Sequence, residues 1–148
     1  MDVIGSLSAI AAIAGLAYKV YKSLNGLVHD LATAPDYLIS LQSQVLTFAL
    51  ALRHLKRYLK AADQSLALPE SSIQELLEAI RGGEIIIKQL DKQLSGIRVE
   101  EVRTTNGEVK LKAPAWDRLQ SKLDEARITK WSNSLSAHCG PLNLLLKV

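Results

Sequence analysis

From Leu38 onwards the apolar residues Leu38, Leu41, Val45, Phe48, Leu52, Leu55 and Leu59 follow one another in steps of three and four. That spacing places all seven on one face of a helix with 3.6 residues per turn, which a strand's period of two cannot do. A seam this long and this apolar must be covered by further helices. The remaining apolar residues fall into similar rows, so the spacing predicts an all-α chain.

The punctuation around the seam sets its limits. Thr33-Ala34-Pro35-Asp36 stops one helix and starts the next, because Pro35 disfavours helix at Ala34 and fits a first turn. Arg53, His54, Lys56, Arg57 and Lys60 gather at the far end, where cations complement the helix dipole. The prediction is a second helix over 36–62. Ahead of it, Val3, Leu7, Ile10, Ala14, Ala17, Tyr21, Leu24, Val28 and Leu31 form a continuous stripe, widened by Ile13, Leu16, Val20 and Leu27. This predicts a first helix over 3–32, capped by Asp2, with more than one neighbour.

Leu68-Pro69-Glu70 repeats the stop-and-start, and Ser72 with Glu75 has capping-box spacing. Ile73, Leu76, Ile80, Gly83, Ile87, Leu90 and Leu94 then predict a third helix over 70–95. Gly82 and Gly83 each cost on the order of 1 kcal/mol relative to alanine inside a helix. Gly83 lies on the apolar stripe, so close approach of a neighbouring helix backbone is expected there, with a hinge as the alternative. From 96 to 112 the helical period fades. Asn106-Gly107 suggests a hairpin, but its faces are too polar to bury, and an exposed loop is expected. Ala113-Pro114 opens a fourth helix, expected over 114–138, whose stripe of Trp116, Leu119, Leu123 and Ala126 drifts to Ile128, Trp131 and Leu135. Gly140-Pro141 is expected to end or kink it, leaving Leu142 to Leu146 as a short apolar tail.

The sum is an antiparallel four-helix bundle forming a single domain over residues 1–148, with the first three helices as antiparallel neighbours joined by short connections. At 148 residues, 48% of them hydrophobic, the chain is large enough to bury its own core, built chiefly from Leu, Ile, Val and Ala because aromatics are only 5%. A chain ending so soon after Leu144-Leu145-Leu146 is expected to be the N-terminal part of something longer.

Signs of chemistry are scarce. No Gly-rich phosphate loop occurs, His29, His54 and His138 have no ligand spacing, and the adjacent His138 and Cys139 point about 100° apart on a helix. Glu75, Glu78 and Glu84 lack the Glu-x-x-His pattern of a di-metal bundle. No catalytic residue, metal or cofactor is therefore assigned, and the chain is not read as an enzyme. A net charge of +3 favours anionic partners but is too small to imply nucleic acid. The single cysteine excludes an intrachain disulfide and suits a reducing cytosol.

The remaining signal is the uncharged run between Asp2 and Lys19. It is not a secretory signal, since Asp2 stands where a basic residue belongs and no cleavage site follows. As a helix, residues 3–18 reach about 24 Å, short of a ~30 Å hydrocarbon core. Two readings stand side by side. In one the run is simply the buried first helix. In the other it enters a bilayer on demand. Its freedom from charge on every side and its small residues four apart, Ser8 with Ala12 and Ala11 with Gly15, favour the second. The inserting residues would be Val3, Ile4, Leu7, Ile10, Ile13 and Leu16, with Lys19, Lys22, Arg53, Lys56 and Arg57 on the lipid headgroups, where each exposed cation contributes roughly 1 kcal/mol.

The Met-Asp start, the Ala/Ile/Gly-rich first helix running through Tyr18-Lys19-Val20-Tyr21-Lys22-Ser23-Leu24, the Ala34-Pro35 break and the long Leu-rich helix after it resemble the fungal HeLo-like domains. These occur at the N-terminus of fungal NOD-like (STAND) receptors and in partners that execute amyloid-signalled cell death. The likeness is one of pattern over almost the whole chain, without an invariant motif. It implies a bundle similar to the death-executing domain of the mixed-lineage kinase-like necroptosis protein and to plant coiled-coil immune domains. It further implies a cytoplasmic resting form that oligomerises with itself on activation. The first helix then permeabilises the plasma membrane through its anionic lipids, under control of a receptor or amyloid region that lies C-terminal to the bundle or in a separate protein. Relatives that only recruit or regulate would share the fold, so a non-lytic adaptor is the alternative.

Overall fold

In the computed structural model, residues 3–31, 33–62, 70–104 and 124–146 are described. Four helices make up these residues: α1 (Val3–Asp30), α2 (Asp36–Ala62), α3 (Glu70–Thr104) and α4 (Glu125–Leu146). They pack as an all-α four-helix bundle.

The apolar seam of α2 is buried as its spacing requires. Leu38, Leu41, Val45, Phe48, Leu52 and Leu55 are each 0–1% exposed. Pro35 does its work through its carbonyl, which accepts from the amides of Leu38 and Ile39, both at 3.1 Å, and so closes the first turn of α2. At the end of α1 the Leu31 amide still donates to the Leu27 carbonyl at 3.1 Å. Both α1 stripes face inward: Ile10, Ala14, Ala17 and Leu24 from one, Ile13, Val20 and Leu27 from the other. The Asp2 and Ser72 caps lie outside the described residues and side chains.

Around the bundle the order is α1–α2–α4–α3, so α2 and α3 lie across a diagonal rather than side by side. The expectation that the first three helices would be successive neighbours is corrected here. Direction follows from a few cross-helix contacts. Asn25 of α1 accepts from Gln42 of α2 at 2.8 Å, near the end of one helix and the start of the other, so this pair is antiparallel. Ser40 of α2 meets Ser132 of α4 at 2.9 Å, and one or two turns on, Phe48 and His138 cover Gly83 and Gly82. α2 and α4 therefore run the same way. Residues 63–69 offer a reach of about 28 Å, less than the ~40 Å length of α2, so α3 must start where α2 ends and run back. Helices consecutive in sequence alternate in direction, and the diagonal step lies between the second and third.

Three boundaries differ from expectation. α3 continues to Thr104, so residues 96–104 are helix and not part of an exposed loop; residues 105–112 lie outside the described residues. Once a helix is nucleated each added residue gains a hydrogen bond, and Ile97, Arg98, Glu100, Glu101 and Arg103 carry no helix breaker. A single helix across 114–138 does not form, because Asp124 stands outside α4 as its N-cap: its carboxylate accepts from the Arg127 amide at 2.8 Å. Residues 114–123 lie outside the described ones. Finally, α4 runs through Gly140-Pro141 to Leu146, so the expected apolar tail is its last turns. Pro141 removes one backbone donor, but Leu142 just beyond it is fully buried, and that packing holds the helix on course.

Candidate functional site

The first half of α1 divides sharply between faces. Ile10 and Ile13 turn into the core at 5% and 8% exposed, with Leu16 packed half-buried against it. Ser8, Ala9, Ala12 and Gly15 are exposed. The helix thus keeps its branched residues inside and shows water a strip of small ones. Val3, Ile4 and Leu7 belong to α1 by their backbone, and their side chains lie outside those described.

Because α1 and α2 are antiparallel, this small-residue region meets the basic end of α2. Ala11, Ala14, Gly15 and Tyr18 from α1 and Arg53, Lys56 and Arg57 from α2 line an open groove of about 500 Å³. The groove exists because alanine and glycine cannot fill the space that leucine fills further along. Its floor is apolar and uncharged. Its α2 wall carries three exposed cations within about one helical turn. Such an arrangement suits an anionic group carried on an apolar body.

Of the five cations expected at headgroups, Arg53, Lys56 and Arg57 are therefore brought together. Lys22 lies one step away: its Nζ sits 4.8 Å above the centre of the Tyr18 ring, which itself stacks on Tyr21 with centroids 5.9 Å apart. Tyr18 joins Lys22 to the groove, since it lines the groove and is 40% exposed. Lys19 turns elsewhere, with its Nζ 3.7 Å from Asp91 Oδ1 on α3. In the sequence Tyr18 stands out only as part of the Tyr18-Lys19-Val20-Tyr21-Lys22 pattern. Its role at the groove follows from its place one turn beyond Gly15 and Ala14, a signal that needed the orientation of the stripe.

Elsewhere, His138 and Cys139 separate as their helix positions demand. His138 lies against Gly82, while Cys139 is buried and desolvation pushes its thiol up to about 11. A thiol so protonated is a poor nucleophile. No group of His, Cys, Asp and Glu able to hold a metal ion occurs among the described residues, and no described helix is long and apolar enough to cross a membrane.

No family model, no curated protein and no solved structure matches this chain.

Proposed function

We propose that this bundle is a cell-death execution domain of the HeLo-like kind, which oligomerises on activation and permeabilises the plasma membrane through its N-terminal helix. One observation carries the reading: the uncharged small-residue face of α1 lies beside Arg53, Lys56 and Arg57 of α2. The cations bring the molecule to anionic lipid, and the helix beside them is the one free of charge from Val3 to Tyr18. Insertion would draw Ile10 and Ile13 out of the core, at about 1.5–3 kcal/mol for each fully buried side chain, which the bilayer interior returns. At rest the bundle is accordingly expected to be cytoplasmic, with slow release of vesicle contents that rises as activation lowers that cost.

Dye release from anionic vesicles tests the proposal. The wild type should release dye. Replacing all three of Arg53, Lys56 and Arg57 by Gln should abolish binding, and Leu7→Glu should preserve binding while abolishing release. Release that survives Leu7→Glu sinks the role of α1.

A second reading rests on the burial of Ile10, Ile13, Val20, Leu24 and Leu27, which makes α1 a full member of the bundle. On that reading the domain is a non-lytic adaptor that associates with like domains through exposed helix faces. It predicts no dye release under any condition.

A further inference from the structure

α2 carries a second row of residues in steps of three and four, offset from the core seam: Asp36, Ile39, Ser43, Leu46, Leu50 and Arg53. This row faces solvent. Ile39 is 43% and Leu50 39% exposed, Leu46 is half-buried, and Asp36, Ser43 and Arg53 are exposed. It runs between the flank that meets α1, marked by Gln42 on Asn25, and the flank that meets α4, marked by Ser40 on Ser132. A helix inside a bundle needs one apolar seam, and α2 carries Ile39, Leu46 and Leu50 outside it.

Charge along α2 says what fits this second row. Asp36 is its one acidic residue, at the N-terminal end, while Arg53, Lys56, Arg57 and Lys60 crowd the other end. A second α2 laid parallel would set cations on cations; laid antiparallel, it sets each basic end on an acidic one. In the antiparallel arrangement, positions of one class in the repeat meet those of the other. Centring the axis between residues 44 and 45 gives three layers, each occurring twice: Asp36 opposite Arg53, Ile39 opposite Leu50, Ser43 opposite Leu46. We infer that the exposed face of α2 is a two-fold, antiparallel self-association surface, in which Ile39 and Leu50 of two copies cover each other and Asp36 pairs with Arg53. The Asp36–Arg53 layers at the two ends set the register. The surface is self-complementary, as a two-fold interface must be. One helix face is small for an interface, so the pairing is weak and concentration-dependent. It supplies a place for the self-association in both readings above and requires no lipid.

Sedimentation equilibrium of the whole chain in lipid-free buffer is the test. The wild type should show a reversible monomer–dimer equilibrium that Leu50→Glu weakens by about tenfold or more, while circular dichroism shows the bundle intact. D36R alone and R53D alone should each weaken it, and D36R/R53D together should restore it, an outcome that misfolding does not produce. Register is read by disulfide trapping: a mixture of I39C chains and L50C chains should cross-link faster than I39C chains alone. Within one copy these positions are about 16 Å apart along the helix, too far for a disulfide. Cys139 is buried and does not compete. A wild type monomeric at every concentration, a dimer indifferent to L50E, or I39C chains that self-link fastest would each overturn the pairing. So would a monomer whose Leu50 face is shielded only on anionic vesicles, which would assign the face to lipid. Dye release is scored separately, so failure here leaves the membrane reading standing, and the reverse.

Discussion

The two halves of α1 differ in composition and in packing: the first is uncharged and rich in alanine and glycine, the second carries charges and larger side chains. In the second half Val20, Leu24 and Leu27 are sealed at 0% exposed; in the first, Ile10, Ile13 and Ala14 remain 5–8% exposed, and Ala14 lines the open groove. The difference lies in what stands opposite. The second half meets the start of α2, where Gln42 also ties it down through Asn25, whereas the first half meets α2's row of cations across a gap. One helix thus has a firmly held end and an end that costs less to release. A segment meant to leave a bundle needs that gradient, and local opening free energies follow it.

Mutations can break the comparison or sharpen it. Leu24→Ala should cost about 4 kcal/mol in urea unfolding, while Ile10→Ala should cost about 2, because a cavity at a residue that is not fully sealed can be relieved by water and collapse. Equal costs would erase the gradient. Hydrogen exchange should agree, with amides of residues 10–17 opening at lower free energy than those of 20–28.

A core position against an open one comes next. A Cβ on Gly83 would overlap the Phe48 ring, which is fully buried and has nowhere to go. Gly83→Ala should therefore cost about 1–3 kcal/mol despite its gain in helix propensity. The cost should shrink in a Phe48→Leu background, where the pair is coupled.

Cys139 gives a pH signature on the firmly packed side. Its thiol sits at about 11 in the fold against 9.0 when exposed, so the native state holds the proton longer than the unfolded chain. The stability this supplies is complete below pH 9 and is lost as pH rises through 11. Cys139→Ala should flatten that decline, and alkylation of the wild type at pH 8 should be slow until the bundle unfolds.

At the loose end the effects are small and one is favourable. A Cβ on Gly15 meets nothing within 4 Å, so Gly15→Ala should stabilise by about 0.5–1 kcal/mol. It should also narrow the groove, and any loss of vesicle binding at unchanged charge would show that the floor as well as the cations is used. Lys19→Gln should move stability by no more than about 0.5 kcal/mol, since the Lys19 side of its 3.7 Å ion pair with Asp91 is more than half exposed.

Much of the bundle was legible in order of residues alone. Among the described side chains, the rows of α1, α2 and α3 follow the inward faces because helical period and burial are the same fact seen twice. The start of α2 was legible in Pro35-Asp36, where backbone chemistry is local. The start of α4 is equally local, in Asp124, but the stripe through Trp116, Leu119 and Leu123 continues the helical period across it. The drift of that stripe at Ala126 was the missed sign. The ends of α3 and α4 were not local: Leu142 holds α4 straight past Pro141 by packing, which no breaker rule contains.

By itself, then, the sequence determined that the chain is helical, which face of each helix turns inward, and that its first helix begins without charge. Only the tertiary structure decided which helices touch. Periodicity orients a helix toward a core but says nothing about which neighbour fills it. So it took the fold to set α2 and α3 on a diagonal, to lay Phe48 and His138 on two glycines, and to bring Arg53, Lys56 and Arg57 beside Gly15. The same reason hid the second row of α2. A row of apolar residues looks alike whether it is buried or bare, and only the positions of α1 and α4 left Ile39 and Leu50 uncovered.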